Sequence, residues 1–129
     1  MKSKILMLLG VGLLMILLSG CYKDIISPGQ DPNGPPQPVS FSGDLVPLFT
    51  ANCATSGCHD GVATSHNPAL NAEKAFTAIT SGGYINILVP QNSILYSSIK
   101  SGSMPPSGAL KSSDMQKVLD WIRNGAPNN

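Results

Sequence analysis

The sequence predicts a small all-α fold of three to four helices, and three observations carry that prediction. Apolar residues recur at helical spacing in several stretches after residue 41. The one run with strand character, Tyr84 to Val89, is closed by Pro90 and has no evident partner. Charged residues make up only 12% of the 129-residue chain, which carries 13 Gly and 11 Pro, a balance that suits short helices joined by loops. From Phe41 onward there are six aromatic residues, too few to fill a self-sufficient core over about ninety residues. A fold of this size is expected to close around a staple, a metal or a cofactor.

Before that domain, residues 1–20 read as a targeting segment. Lys2 and Lys4 form a basic start, and Ile5 to Leu18 is an almost unbroken apolar run. As a helix it would span roughly 20 Å, short of the ~30 Å hydrocarbon core, so it reads as a signal peptide and not as a permanent transmembrane helix. The sequence Leu18-Ser19-Gly20-Cys21 resembles the lipobox of bacterial lipoproteins. That resemblance implies cleavage before Cys21, lipid on its thiol and a stable membrane anchor, since several acyl chains hold where a single one does not. Tyr22 stands where inner-membrane retention would place Asp, so the expected destination is the outer membrane, on its periplasmic or outer face. The plainer alternative is a secretory signal followed by a chance cysteine. Residues 21–40 carry five prolines, Pro28, Pro32, Pro35, Pro36 and Pro38, and read as a tether.

The domain is assigned to residues 41–129. Its first helix is expected to start at Gly43 or Asp44, with Asp44 as cap, Pro47 in the first turn, and Leu45, Leu48, Phe49 and Asn52 at helical spacing. It leads directly into Cys53. After a loop from Asp60 to Ala69, Asn71 is placed to cap a helix whose face carries Ala72, Ala75, Phe76 and Ile79, ended by Gly82 and Gly83. A third helix fits Ser93 to Lys100, with Leu95 and Ile99 on its buried face. Prolines 105 and 106 then exclude helix and stiffen the chain around Met104. In the last helix Ser113 and Gln116 have capping-box spacing, Asp114 lies in the first turn, and Met115, Val118, Leu119 and Ile122 form the apolar stripe. Arg123, Gly125 and Pro127 mark its end, and Trp121 is expected at the border of the stripe.

The chemistry concentrates in Cys53-Ala54-Thr55-Ser56-Gly57-Cys58-His59, two thiols and an imidazole in one short loop. Its usual relative, C-x-x-C-H, is the attachment signal for a c-type haem, and here four residues separate the cysteines instead of two. Outside the inner membrane thiols tend to be oxidised, so Cys53 and Cys58 need a covalent fate. A disulfide between them supplies one. A zinc site of Cys53, Cys58, His59 and His66 supplies another, although adjacent Cys58 and His59 are awkward as two ligands.

In chain order, the Cys/Cys/His loop after a first helix, the proline-held Met104 and the amphipathic closing helix resemble a class I c-type cytochrome. The ending, from Met104-Pro105-Pro106 through Leu110 to Trp121-Ile122-Arg123-Asn124-Gly125-Ala126, is similar to small cytochrome c domains of exported bacterial proteins. The resemblance implies one haem c held by thioethers to Cys53 and Cys58, with His59 and Met104 as axial iron ligands and the terminal helices crossing, Phe49 and Trp121 being suited to that contact. Met/His coordination raises the reduction potential, because a soft thioether favours ferrous iron. Met115, on the apolar stripe, reads as core filling, and His66 is the other candidate ligand. Tyr84 and Tyr96 are both candidates to meet the propionates.

The expected function is electron transfer with redox protein partners, by a carrier and not an enzyme, since no nucleophile–base pair or acid–base carboxylate pair is apparent. A net charge of +1 without a Lys/Arg cluster argues against nucleic acid as a partner. A disulfide-stapled surface lipoprotein, or a haem-based sensor or catalyst if Met104 does not bind iron, are the alternatives.

Overall fold

The computed structural model describes residues 33–129 except Thr64. The signal segment, Cys21 and most of the tether lie outside the described residues. Within them the fold is all-α: helices α1 (Val46–Asn52), α2 (Ala75–Ser81), α3 (Ile94–Lys100) and α4 (Ser112–Arg123), with no strand among the described residues. A π-helical turn, Phe41–Leu45, leads into α1, and a 3-10 turn, Pro90–Asn92, precedes α3. No helix among the described residues is long and apolar enough to cross a membrane.

The start of the first helical segment differs from the expectation. Ser40, not Asp44, is the cap: its hydroxyl accepts from Gly43 N at 3.0 Å, while Ser40 N donates to Asp44 Oδ2 at 3.0 Å. This is a reciprocal capping arrangement stretched by one residue, as the wider π turn requires. Pro47 falls in the first turn of α1 as expected, and Leu45 and Phe49 are fully buried.

Asn71 does not cap α2 with its side chain. Lys74 N and Ala75 N bond instead to the Asn71 carbonyl, at 3.1 and 2.9 Å, in the turn before the helix. The side chain is turned toward Gly61, where a Cβ would stand 2.7 Å from Oδ1, and that buried oxygen has no hydrogen-bond partner. At the other end of α2 a side chain on Gly82 would strike the Ala78 carbonyl and the Tyr84 ring.

Helix α4 is the centre of the core. Val118, Leu119, Trp121 and Ile122 are all completely buried, so Trp121 sits inside the stripe and not at its border. Burial is tolerable because the indole N–H donates to the Pro127 carbonyl at 2.8 Å. The Phe41 ring lies 5.2 Å from Trp121, 5.2 Å from Phe76 and 6.3 Å from Phe49, and so links the first helical segment to α4. The capping box expected at Ser113 is not formed. Lys111 occupies the N-cap position without a side-chain bond, and Gln116 is buried, donating to Asp120 Oδ1 at 2.9 Å. Asp120, 2% exposed, also receives Arg123 Nη1 at 3.2 Å, so the amide is drawn inward to help satisfy an interior carboxylate.

The end of α4 bonds to residues of the segment read as tether. Arg123 Nη2 donates to the Gly34 carbonyl at 2.6 Å, Asn124 Nδ2 to that of Gln37 at 2.7 Å, and Val39 is buried. An extended proline-rich segment has no repeating backbone bonds of its own, so the Gly34 and Gln37 carbonyls are available to the end of α4. Asn129 then clasps the start of the domain: Phe41 N donates to its Oδ1 at 2.7 Å and Ser42 N to its main-chain oxygen at 2.8 Å.

Candidate functional site

Helix α1 ends at Cys53, and the loop beyond it has a defined shape. Cys53 N and Ala54 N both bond to the Phe49 carbonyl at 2.8 Å, closing the helix. Cys58 N then bonds to Thr55 O at 2.9 Å, making a four-residue turn with Ser56 and Gly57 at its corners. Gly57 has φ +79, the left-handed value that the third turn position takes when glycine is available. His59 N returns to the Cys53 carbonyl at 3.1 Å. The residues between the cysteines are thereby folded into a turn, of which Thr55 and Gly57 border the cavity described below, and His59 N is brought back to the Cys53 carbonyl.

Asp60 holds the outer side of this loop. Its carboxylate accepts from Gly57 N and Val62 N, each at 3.1 Å, and from the Ser65 hydroxyl. The Ser65 hydrogen bond first, then those from the backbone, lower the Asp60 pKa below the ordinary carboxylate value.

The geometry around His59 fixes its tautomer. Nδ1 lies 2.8 Å from the Pro68 carbonyl and 3.1 Å from that of His66. Carbonyls only accept, so Nδ1 carries the proton and donates. In the neutral ring Nε2 therefore keeps its lone pair, the arrangement in which imidazole ligates a metal. Bonds from His66 N to Cys58 O and from Leu70 N to His59 O, both 2.7 Å, lock the following loop onto the first.

Both cysteines are free thiols. Cys53 is the more buried, and desolvation together with the nearby Cys58 pushes its pKa up to about 11. No disulfide joins them, and no group of three or more His, Cys, Asp or Glu among the described residues is arranged to hold a metal ion, so the four zinc candidates do not form such a site.

Met104, some fifty residues along the chain, is held by the end of α3. Met104 N donates to Ser98 O at 3.1 Å, the Ser103 hydroxyl to the same carbonyl at 3.0 Å, and Pro105 is buried. The Met104 side chain is partly exposed, at 39%.

One cavity of about 570 Å³ is lined by Cys53, Cys58, His59 and Met104 together. Its volume lies within the roughly 300–1,000 Å³ range of small-molecule and cofactor sites. Leu70, Leu95 and Ile99 supply apolar wall, and no Asp, Glu, Lys or Arg among the described residues lines it. His66 also borders the cavity, its ring centroid 6.3 Å from that of His59. Met115 does not line the cavity and packs against the core. Of the two tyrosines, Tyr84 lines it, whereas Tyr96 is buried, its pKa raised by desolvation and by Asp120.

The sequence reading did not single out the Pro68 carbonyl. A backbone oxygen carries no side-chain signal, and only the loop closure brings it to His59. In comparisons with protein-family models, curated proteins and solved structures, nothing matches this chain.

Proposed function

We propose that the domain is a single-haem c-type electron carrier, exported and anchored to the outer membrane through lipid on Cys21. The observation that carries the reading is the convergence of Cys53, Cys58, His59 and Met104 on one largely apolar cavity, with His59 presenting the tautomer a metal needs. Cys53 and Cys58 would hold the haem covalently, His59 and Met104 would ligate its iron. When bound, the group supplies a one-electron ferrous/ferric couple.

The chain's own residues have separable tasks. The Thr55–Cys58 turn takes up the additional residues so that both thiols face one site. The Pro68 carbonyl holds the His59 ring by Nδ1 and leaves its outer nitrogen free to ligate. The Ser98 carbonyl fixes the Met104 backbone while leaving the thioether free. Leu70, Leu95 and Ile99 keep water from the cavity and support a soft sulfur ligand there. Tyr84 lines the cavity and Tyr96 does not, so of the two it is Tyr84 that would donate to a propionate.

The test is a spectrum and a denaturing gel of the full chain matured in cells able to attach haem c. The expected product is coloured, retains its haem after denaturation, and loses that covalent haem in the Cys53→Ser, Cys58→Ser double variant. A colourless protein overturns the reading in favour of a lipoprotein without haem. Met104→Ala is expected to change the ligand-field spectrum and open the ferrous form to carbon monoxide, while His66→Ala leaves both unchanged. The opposite pattern assigns the second axial position to His66.

A further inference from the structure

Besides Met104, four large apolar side chains in and just before α3 are conspicuously exposed: Ile87 at 59%, Leu88 at 94%, Val89 at 45% and Ile94 at 53%. They fall into two kinds. Ile94 lines the cavity, so a group bound there covers part of it. Ile87, Leu88 and Val89 do not line it, and nothing bound in the cavity accounts for their exposure.

This tripeptide is not a loose tip. Asn86 Oδ1 accepts from Val89 N at 2.9 Å, Asn86 N donates to the buried Ser93 hydroxyl at 2.9 Å, and Asn92 N bonds to Val89 O at 2.9 Å. Ser93 is itself 1% exposed, and the Pro90–Asn92 turn packs on α4. The loop is thus fastened at its base and displays three consecutive apolar residues outward. Its electrostatic setting is equally specific. From Ala75 through Ile99 the chain contains no Asp, Glu, Lys or Arg, and Lys74 and Lys100 flank that uncharged stretch.

The anchor says what such a tip would meet. Fully extended, the chain between Cys21 and Asn33 reaches at most about 40 Å. A domain of this length is about 30 Å across, so every face of it lies within reach of the surface that holds Cys21. Three apolar side chains bind a bilayer weakly from free solution. Tethering makes the second contact intramolecular, at an effective concentration in the millimolar range, which is sufficient for a weak membrane contact to be occupied.

We propose that the loop Asn86–Ser93 docks on the lipid surface to which the protein is anchored, with Ile87, Leu88 and Val89 inserted at the headgroup–acyl boundary. The inference rests on the reading of Cys21 as a lipid anchor and adds a second point of membrane contact. Two contacts fix an orientation where a tether alone does not. Ile94 is at once part of the exposed apolar surface and part of the cavity lining, so docking turns that edge of the cavity toward the membrane.

The experiment uses the lipidated full chain reconstituted in vesicles of phosphatidylethanolamine and phosphatidylglycerol, with Trp at position 88 (Leu88→Trp) or, as a control, at another exposed apolar position in a different loop (Val62→Trp; Val62 is 59% exposed). Both sites are open to solvent, so neither substitution threatens folding, and the buried Trp121 gives a constant background taken from the unsubstituted protein. The expected result is a blue-shifted emission from Leu88→Trp, quenched at least about twofold by lipids brominated within roughly 5–10 Å of the headgroups, with little quenching of Val62→Trp. Equal quenching of the two, or none, overturns the docking loop. Fatty-acid labelling of the same preparations separates the two ideas: labelled protein with an unquenched Trp at position 88 rejects the loop alone. Unlabelled protein rejects the anchor, and the docking inference with it.

Discussion

The two ends of this small domain are built on opposite principles. Around α4, side chains bond and stack with side chains: Phe41, Phe76 and Trp121 form one aromatic cluster, and Gln116, Asp120 and Arg123 satisfy each other inside it. Around the cavity, most bonds run to backbone groups, and the thiols, the outer nitrogen of His59 and the Met104 thioether are not used in them. Cys53 and Cys58 are free, His59 donates only through Nδ1, and Met104 is held by its amide alone. The lesson is one of division. The α4 end supplies most of the buried core, and of the reactive groups at the cavity only Cys53 belongs to that core.

Substitutions sort by which end they strike. Trp121→Ala removes a completely buried indole and its bond to Pro127, and is expected to destabilise the domain by about 3–5 kcal/mol, a large share of the total for one this small. Denaturant unfolding checks it, and a loss under about 1 kcal/mol would show that the aromatic cluster is not the main support. Asp120→Ala removes the acceptor shared by Gln116 Nε2 and Arg123 Nη1. A loss of about 2–3 kcal/mol is expected, reduced from a fully buried pair because Arg123 is 19% exposed.

At the cavity end, pH sharpens the contrast. Burial raises the Cys53 pKa, so the haem-free fold prefers the neutral thiol. Its contribution to stability is fully present below the unfolded thiol value of 9.0 and is lost as pH rises toward about 11. In the haem-free chain under reducing conditions, the unfolding midpoint should fall across that window in the native sequence and stay flatter in Cys53→Ala. Alkylation of Cys53 should correspondingly rise about tenfold per pH unit up to that value. The smallest effect is expected for Met104→Ala. The side chain is partly exposed, so the haem-free chain should change stability by no more than about 0.5 kcal/mol. A large loss there would mean that the cavity end also carries the fold.

Much of this architecture was legible before any coordinates. Pro47, Gly82 and Pro90 mark segment ends because their backbone limits act locally, and the stripe of α4 is visible because period alone sets which residues share a face. The residues that line the cavity were also legible, since thiols, imidazole and thioether are conspicuous by type. Capping was less so. Ser40 and Asp44, Asn71, and Ser113 with Gln116 all offer plausible local bonds, and sequence spacing does not rank them.

What the sequence by itself determined is therefore the helical class, the order of the helices and the identity of the reactive groups. Tertiary structure decided which competing polar bonds were made: Gln116 turns inward because a buried carboxylate needs it, and Asn71 turns toward Gly61 instead of the α2 terminus. It also decided that Trp121 is central, that the Gly34 and Gln37 carbonyls bond to the end of α4, and that the Pro68 carbonyl accepts from His59 Nδ1. Those outcomes depend on groups distant in sequence or on backbone atoms common to every residue, and neither leaves a mark in a local pattern.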